Sequence, residues 1–137
     1  MVNNQLTQKD NTLIEHAQQY LKKVFSPEKT YVVALIQTVA GSIYKGFNIK
    51  AYSGKASVCA EALALAQVLK AKDVEAQTLV VVAYDPELNT PIVISPCGSC
   101  RDLLREHLPH INVIIQDASL KFLKIPIKSL LPYPYTQ

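Results

Sequence analysis

The sequence has no long apolar run and no dense block of positive charge. A membrane-spanning helix needs about 18 or more consecutive apolar residues, and nothing in the chain approaches that length. The net charge of +3 is mild and does not indicate a nucleic-acid-binding surface. We therefore expect neither a membrane nor a nucleic acid as a partner.

Cysteine is also scarce, with three residues in the chain. An odd number of cysteines, behind a polar start without the pattern of a signal peptide, predicts reduced thiols and a cytoplasmic location. The sequence lacks internal repeats, low-complexity tracts and linker-like segments. We therefore expect residues 1–137 to form a single domain.

The three cysteines lie in two short segments, 59–61 and 96–100, and each segment precedes a predicted helix. In the first turn of a helix, the sulfurs of Cys97 and Cys100 can face one point, and Cys59 can add a third sulfur from the second helix start. Zinc takes about four ligands, and a catalytic zinc keeps one position for water. Three thiolates without an obvious fourth protein ligand predict one catalytic zinc per subunit.

Glu61 lies two residues beyond Cys59, near enough to reach a water on that zinc. We expect it to take a proton from the water and to pass it to the substrate. Such proton transfer is typically worth roughly 10²–10⁴ in rate. Arg101, beside Cys100, and the positive ends of the two helices are expected to offset part of the thiolate charge.

Simpler interpretations of these cysteines exist. One is that they are three buried thiols beside a surface glutamate, and another is that Cys97 and Cys100 form a redox pair of the C-x-x-C type. A redox pair explains neither Cys59 nor Glu61, and a structural zinc module should show a fourth ligand. The combination of C-x-E, a gap of about 35 residues and P-C-x-x-C is much more specific than either pattern alone.

That combination is the signature of zinc nucleobase deaminases, and the chain resembles the small cytidine deaminase family over nearly its whole length. The segment 95–101 is similar to the second zinc motif of that family, and Gly46-Phe47-Asn48-Ile49 to its substrate loop. The ending Leu130-Leu131-Pro132, followed by tyrosines, resembles the blasticidin-type enzymes. The resemblance implies hydrolytic deamination of cytidine, deoxycytidine or the antibiotic blasticidin S.

The resemblance also implies which residues contact the substrate. Asn48 would hydrogen-bond the sugar, and Tyr31 would form an aromatic wall of the pocket. The Ala60 backbone would contact the pyrimidine, and the Ser95 carbonyl would face the leaving amine. The remaining family roles fall on the three zinc ligands and on Glu61.

The chain departs from the family pattern at two positions. Lys50 stands where cytidine deaminases usually have a glutamate that grips a ribose hydroxyl, and Ala62 replaces the arginine that usually braces the zinc thiolates. Lys50 and Lys55 either hold an acidic group on the substrate or are solvated loop lysines. The tail tyrosines Tyr133 and Tyr135 either complete a pocket or belong to a flexible end.

Hydrophobic periodicity predicts the order of helices and strands. A first helix follows a capping box at Thr12-Leu13-Ile14-Glu15, after a frayed segment 1–10, and ends near Ser26-Pro27. The predicted strands are Tyr31–Gln37, Ser42–Ile49, Thr78–Tyr84, Asn112–Gln116 and Leu120–Ile125. Further helices are predicted at Val58–Lys72, at Gly98–Leu108 with Leu103, Leu104 and Leu108 facing inward, and at Pro126–Leu131.

This order predicts an α/β fold, a three-layer α/β/α sandwich with a mixed five-stranded sheet. The helix Val58–Lys72 is apolar almost all round, as expected for a helix that is buried on both sides. One side would pack on the sheet and the other on a second subunit. We therefore expect a homotetramer or dimer built on this helix, as the family resemblance also implies.

Two other enzyme classes would share the motifs. A nucleic-acid-editing deaminase should add aromatic residues interleaved with basic ones for strand binding, and no such patch is visible. A deaminase of another aminated heterocycle is not distinguished by the motifs. The preferred interpretation is a zinc-dependent deaminase with a small-molecule nucleoside substrate.

Overall fold

The computed structural model describes residues 6–73 and 75–136. Its helices are α1 (Gln8–Val24), α2 (Ala60–Ala71) and α3 (Gly98–His107), and short 3₁₀ helices cover Gly54–Ala56 and Ile127–Leu130. Its strands are β1 (Val32–Thr38), β2 (Ile43–Phe47), β3 (Ala76–Asp85), β4 (Thr90–Ile94), β5 (Asn112–Gln116) and β6 (Phe122–Pro126).

The strands form one mixed sheet in the order β2-β1-β3-β5-β6. β3 is antiparallel to β1 on one side and parallel to β5 on the other. The same side of β3 also carries β4, which pairs with residues 81–85, whereas β5 pairs with residues 78–80. The two strands thus share one position in the sheet.

The mixed sheet is confirmed, with six strands where five were expected. The additional strand is β4, a segment for which no strand was predicted. β3 is longer than its predicted range and extends past β5. Its residues 81–85 therefore have a free edge, with which β4 pairs. β4 tolerates Pro91 because proline is accepted on edge strands.

Two core clusters separate the molecule into three layers, which confirms the α/β/α arrangement. On β1, Val33 and Leu35 pack towards α1, while Ala34 and Ile36 pack towards α2 and α3. Alternate residues of a strand point to opposite faces, so a strand that is apolar at every position is buried on both. All four of these side chains are fully buried.

The first helix begins earlier than predicted, and the proposed capping box at residues 12–15 is wrong. Thr7 is the N-cap: its side chain accepts from the Asp10 N–H at 3.1 Å, and the Thr7 N–H donates to the Asp10 carboxylate at 2.9 Å. Residues 8–10 are therefore helical and not frayed, while residues 1–5 lie outside the described part. Leu13 and Ile14 lie in the helix interior and are buried.

Three further expectations about helices need correction. Leu104 and Leu108 are buried as predicted, but Leu103 is 37% exposed because it lies one residue around the helix from Leu104. The second helix begins at Ala60 instead of Val58, with Cys59 as its N-cap. The predicted helix near the carboxyl end is a 3₁₀ helix over Ile127–Leu130.

The second helix lies very close to the strand beneath it. A Cβ atom on Gly46 of β2 would overlap the Ala60 carbonyl oxygen and the Ala64 amide nitrogen of α2. The absence of a side chain at this position therefore sets how near the start of α2 comes to the sheet. That start carries the first cysteine and the glutamate.

Candidate active site

The three cysteine thiols meet between the first turns of α2 and α3. Cys59 is the N-cap of α2, Cys97 is the N-cap of α3, and Cys100 lies in the first turn of α3. Their sulfur atoms all lie within 4.8 Å of one another. Within residues 6–73 and 75–136, no other group of three histidine, cysteine or acidic side chains is placed to hold a metal ion.

The chemistry of this cluster fits zinc. Tetrahedral zinc binds thiolate sulfur at about 2.3 Å, which places two sulfur ligands roughly 3.8 Å apart. Burial, with the neighbouring Glu61 charge, raises the pKa of the Cys100 thiol, and burial also raises the pKa of Cys59. Thiols so close together become favourable as thiolates only around a cation. The cluster can therefore hold one zinc.

The two helix starts leave the sulfurs free to act as ligands. Neither Cys59 nor Cys97 caps its helix through the side chain. Their backbone carbonyls accept the first helical bonds instead, from the Leu63 N–H at 3.4 Å and from the Arg101 N–H at 2.9 Å. The positive end of each helix dipole thus lies at the thiols, where it favours negative charge.

Glu61 lies in the first turn of α2, two residues after Cys59. It is 5% exposed, yet it lines a cavity. No group in the described part of the chain donates a hydrogen bond to its carboxylate or forms an ion pair with it. The carboxylate is therefore available to a ligand in the cavity.

The cavity has a volume of about 270 Å³ and joins the cysteine cluster to the predicted substrate contacts. It is lined by Tyr31, Val32, Asn48, Lys50, Ser57, Val58, Cys59, Ala60, Glu61, Ile94, Ser95 and Cys97. The four residues that the resemblance assigns to the substrate, and Lys50, are thus brought to one cavity with Glu61 and two of the cysteines. Cys100 is buried behind the lining, at 3% exposure.

Asn48 is anchored more firmly than the sequence suggested. Its carboxamide oxygen accepts from the backbone N–H groups of Tyr31 at 2.7 Å and Val32 at 2.9 Å. Its amide nitrogen donates to the Lys29 carbonyl at 3.4 Å, which is a long bond. The oxygen is therefore occupied by the protein, and only the amide nitrogen has capacity left for a ligand.

Arg101 connects the cavity wall to the carboxyl end of the chain. Its guanidinium donates to the Pro96 carbonyl at 2.8 Å, to the Ser95 hydroxyl at 2.8 Å and to the Leu130 carbonyl at 3.1 Å. These bonds fix the segment between β4 and α3, which contributes Ser95 to the cavity. The predicted effect of Arg101 on the thiolate charge remains a prediction.

Sequence reasoning missed several residues that line the cavity. Ser57 and Val58 reach it because the loop after β2 closes on itself through paired backbone bonds of 2.9 Å between Ile49 and Val58. Ile94 reaches it from the end of β4. The apolar Ile49 and Val58 on either side of a polar loop were the available signal, whereas nothing in the sequence marked Ile94.

The two lysines of that loop differ in placement. Lys50 lines the cavity, whereas Lys55 lies in the 3₁₀ helix Gly54–Ala56 and does not line it.

The tail tyrosines, Tyr133 and Tyr135, are exposed in this single chain. Among the helices that the structure describes, none combines the length and apolarity needed to cross a membrane.

Comparisons with known proteins agree with this site. A family model described as the cytidine and deoxycytidylate deaminase zinc-binding region matches residues 7–115. A blasticidin-S deaminase of Bacillus cereus is 34% identical over an alignment of 135 residues, which covers 96% of this chain and 96% of the other.

Solved structures show the same fold. A cytidine deaminase from Burkholderia pseudomallei superposes with a TM-score of 0.74 at 27% identity, over 95% of this chain and 100% of the other. A cytidine deaminase from Bacillus anthracis superposes with a TM-score of 0.78 at 24% identity, over 92% and 89% of the two chains. At that lower identity the likeness concerns the fold alone.

Proposed function

The chain belongs to the cytidine and deoxycytidylate deaminase family, whose zinc-binding region spans most of its length, and on this premise we propose that it deaminates small cytosine nucleosides. The substrates proposed are cytidine, deoxycytidine or blasticidin S. The observation that carries the proposal is the cavity in which a cysteine cluster and an unpaired, nearly buried glutamate face the same space.

Cys59, Cys97 and Cys100 are the proposed ligands of one zinc. When bound, the zinc supplies Lewis-acid polarisation of the attacking water. The thiols need only a small adjustment to reach one ion, because their sulfurs lie within 4.8 Å of one another, against roughly 3.8 Å in a tetrahedral zinc site. The helix starts that carry them supply partial positive charge, which lowers the cost of gathering three thiolates.

Glu61 is the proposed proton carrier. Its carboxylate takes a proton from the attacking water and delivers it to the ring nitrogen beside C4, and it later carries the remaining proton of that water, from the hydroxyl group on C4, to the leaving amine. Oxygen from water becomes bonded to C4, the bond from C4 to the exocyclic nitrogen breaks, and ammonia leaves. The low exposure of Glu61, at 5%, supports this role, because it limits contact of the carboxylate with bulk water to the side that faces the cavity.

The other lining residues orient the base and the sugar. We assign the Ala60 backbone to the pyrimidine, the Ser95 carbonyl to the leaving amine, and the Tyr31 ring to one wall. The Asn48 amide nitrogen is assigned to the sugar. Arg101 supports Ser95 from behind, since it donates to both Ser95 and the adjacent Pro96.

The first test is turnover by the zinc-loaded protein with cytidine, deoxycytidine and blasticidin S in parallel. Ammonia release and the ultraviolet change of the base report the reaction. Glu61→Gln should retain zinc and lose at least about 10²-fold in kcat, in keeping with the worth of a proton-transfer group. Glu15→Gln, on the exposed side of α1, is the matched control and should retain wild-type activity.

The outcomes separate the substrates. Turnover of cytidine supports a nucleoside salvage enzyme, and turnover of blasticidin S alone supports a resistance enzyme. Wild-type activity in Glu61→Gln would overturn the assigned role of that residue. The absence of turnover with all three compounds, in a protein with zinc bound, would overturn the proposed substrate class.

The proposal extends to assembly and location. We infer a homotetramer or dimer that uses the outer face of α2, where Ala66 and Leu69 are exposed in the single chain. A cytoplasmic location is also proposed, because the three zinc-binding thiols are free cysteines that must remain reduced.

A further inference from the structure

A second cavity adjoins the proposed active site and shares one residue with it. It has a volume of about 440 Å³ and is lined by Pro27, Glu28, Lys29, Lys50, Ala51 and Tyr52. Lys50 lines both cavities. Since Glu61, Cys59 and Cys97 line only the first cavity, a substrate whose base lies beside them extends towards Lys50 with its other end.

The charge at this shared boundary is positive. Lys29 and Lys50 both line the second cavity, against the single carboxylate of Glu28. In the described part of the chain, neither lysine has a carboxylate within 4.0 Å, and the ion pairs found lie elsewhere. The Lys29 ammonium lies 4.8 Å from the centre of the Tyr52 ring, a cation–π contact that holds it beside the cavity.

Apart from the Glu28 carboxylate and the Tyr52 hydroxyl, the polar side chains at this boundary, Lys29, Lys50 and Asn48, offer only donors. The Asn48 oxygen is already used by two backbone N–H groups, so Asn48 has only its amide nitrogen to offer. The two lysine ammoniums donate and cannot accept. A ligand group at this end must therefore supply acceptors, and an anion supplies them best.

Backbone bonds join these donors into one unit. The Lys29 carbonyl accepts from the Lys50 N–H at 3.1 Å and from the Asn48 amide nitrogen at 3.4 Å. The loop before β1 and the loop after β2 are thereby held side by side. The backbones of Lys29 and Lys50 are therefore held in fixed positions relative to the active-site cavity.

We propose that Lys29 and Lys50 form an anion subsite that binds a carboxylate or phosphate on the sugar of the cytosine nucleoside. The inference rests on the proposed function, since it places the base in the first cavity. It predicts that the protein prefers cytosine nucleosides with an acidic substituent over neutral ones. The attraction of two surface ammoniums weakens as salt screens them.

The experiment measures kcat/KM of the zinc-loaded enzyme for cytidine, cytidine 5′-carboxylate and cytidine 5′-monophosphate. Lys29→Gln and Lys50→Gln should each reduce the preference for the anionic substrate over cytidine by about two- to fivefold, the usual range for exposed charge pairs. Glu28→Gln should increase that preference. Lys55→Gln, which removes the same charge from the same loop outside both cavities, should leave it unchanged.

Salt and substrate choice sharpen the test. The anionic preference of the wild type should fall between about 0.02 M and about 0.5 M salt, whereas the kcat/KM for cytidine should change much less. A preference for the carboxylate alone would identify that anion as the ligand, and a preference for the monophosphate alone would identify phosphate. Equal kcat/KM for all three substrates at low salt, or a Lys55→Gln effect as large as that of Lys50→Gln, would overturn the subsite.

Failure of the subsite and failure of the proposed function give different results. If no cytosine compound is deaminated, the proposed function fails, and the subsite is then measured by calorimetric binding of uridine and uridine 5′-monophosphate. Tighter binding of the monophosphate, lost in Lys50→Gln, would sustain the subsite. Equal binding of the two would refute it.

Discussion

At the scale of single residues, Asn48 shows how one side chain serves both structure and substrate. Sequence resemblance assigned it to the sugar, which remains a proposal, and the structure shows that it lines the cavity. Its oxygen, however, accepts from two N–H groups at the start of β1. These partners lie 16 and 17 residues earlier in the chain, so no local pattern predicts the contact.

Replacing Asn48 therefore separates the two roles. Asn48→Ala should lower the free energy of unfolding by about 1–3 kcal/mol, because the N–H groups of Tyr31 and Val32 lose their acceptor. Asn48→Asp keeps an acceptor and should retain most of the stability, while it brings negative charge near Lys50. Urea denaturation of both variants checks this prediction, and equal stability of Asn48→Ala and the wild type would contradict it.

The zinc cluster was the most predictable part of the site. Cys97 and Cys100 lie within one turn, where helix geometry fixes their separation, and Cys59 follows from the same start-of-helix logic. The neighbouring cavity was not predictable, because Lys29 and Tyr52 meet only through the folding of two loops. Spacing along the chain predicts the distance between two residues when both lie in one helix. It predicts little when the residues lie in separate loops.

At the scale of elements, two local patterns competed for the start of the first helix. Thr7 to Asp10 and Thr12 to Glu15 both match a capping box, and the structure uses the first. Asp10 gains a further partner there, since the Lys124 ammonium donates to its carboxylate at 2.9 Å. This contact spans 114 positions and is absent from any local pattern. The same limit explains why β4, which depends on the free edge of β3, was missed.

Gly46 gives a test of how the strand and the zinc helix are coupled. Gly46→Ala should place a methyl group against the Ala60 carbonyl and the Ala64 amide and force α2 away from β2. Overpacking of this kind typically costs about 1–3 kcal/mol. Because Cys59 and Glu61 move with the start of α2, zinc affinity and kcat should both fall.

Gly54→Ala is the matched control for this substitution. A Cβ at Gly54 meets nothing within 4 Å, so zinc affinity and activity should stay at wild-type levels. Zinc affinity is measured by competition with a coloured chelator, and stability by thermal unfolding of the metal-free protein. If Gly46→Ala lost stability but kept both zinc affinity and kcat, the packing of α2 on β2 would not set the geometry of the site.

At the scale of the whole molecule, the Asp10–Lys124 pair joins the first helix to the last strand. The oxygen–nitrogen distance is 2.9 Å, and the two side chains are 3% and 15% exposed. Burial alone would raise the pKa of Asp10, but the Thr7 N–H and the Lys124 ammonium outweigh it and hold the pKa below its ordinary value of 3.8. The charged carboxylate therefore stabilises the folded state.

The pH dependence follows from the direction of this shift. A carboxyl group whose pKa is lowered by folding contributes stability above its unfolded pKa, and that stability is lost as the pH falls through the folded pKa. Lys124→Met should cost about 1–3 kcal/mol at neutral pH, the usual worth of a hydrogen-bonded charge. The difference from wild type should shrink below about pH 3.8 in urea unfolding, and a difference that grew in acid would contradict the assignment.

The three-layer arrangement was predictable because each layer has its own periodicity. Strands such as β1, apolar at successive positions, require cover on both faces, and α1 shows a single apolar stripe. The helix Val58–Lys72 was also expected to be buried all round. In the single chain its outer face is open: Ala62 and Leu63 are half-buried, and Ala66 and Leu69 are exposed.

A charge placed on that face tests the proposed assembly. Wild-type protein at micromolar concentration should show the mass of a dimer or tetramer by light scattering. Ala66→Glu should reduce that mass, because a buried carboxylate without a partner opposes association, while an exposed helical position tolerates it in the single chain. Leu120→Glu, in the exposed turn between β5 and β6, is the control and should leave the mass unchanged. A monomeric mass for the wild type, or an unchanged mass for Ala66→Glu, would remove α2 from the interface, and the apolar outer face of this helix would then lack an explanation in the assembly.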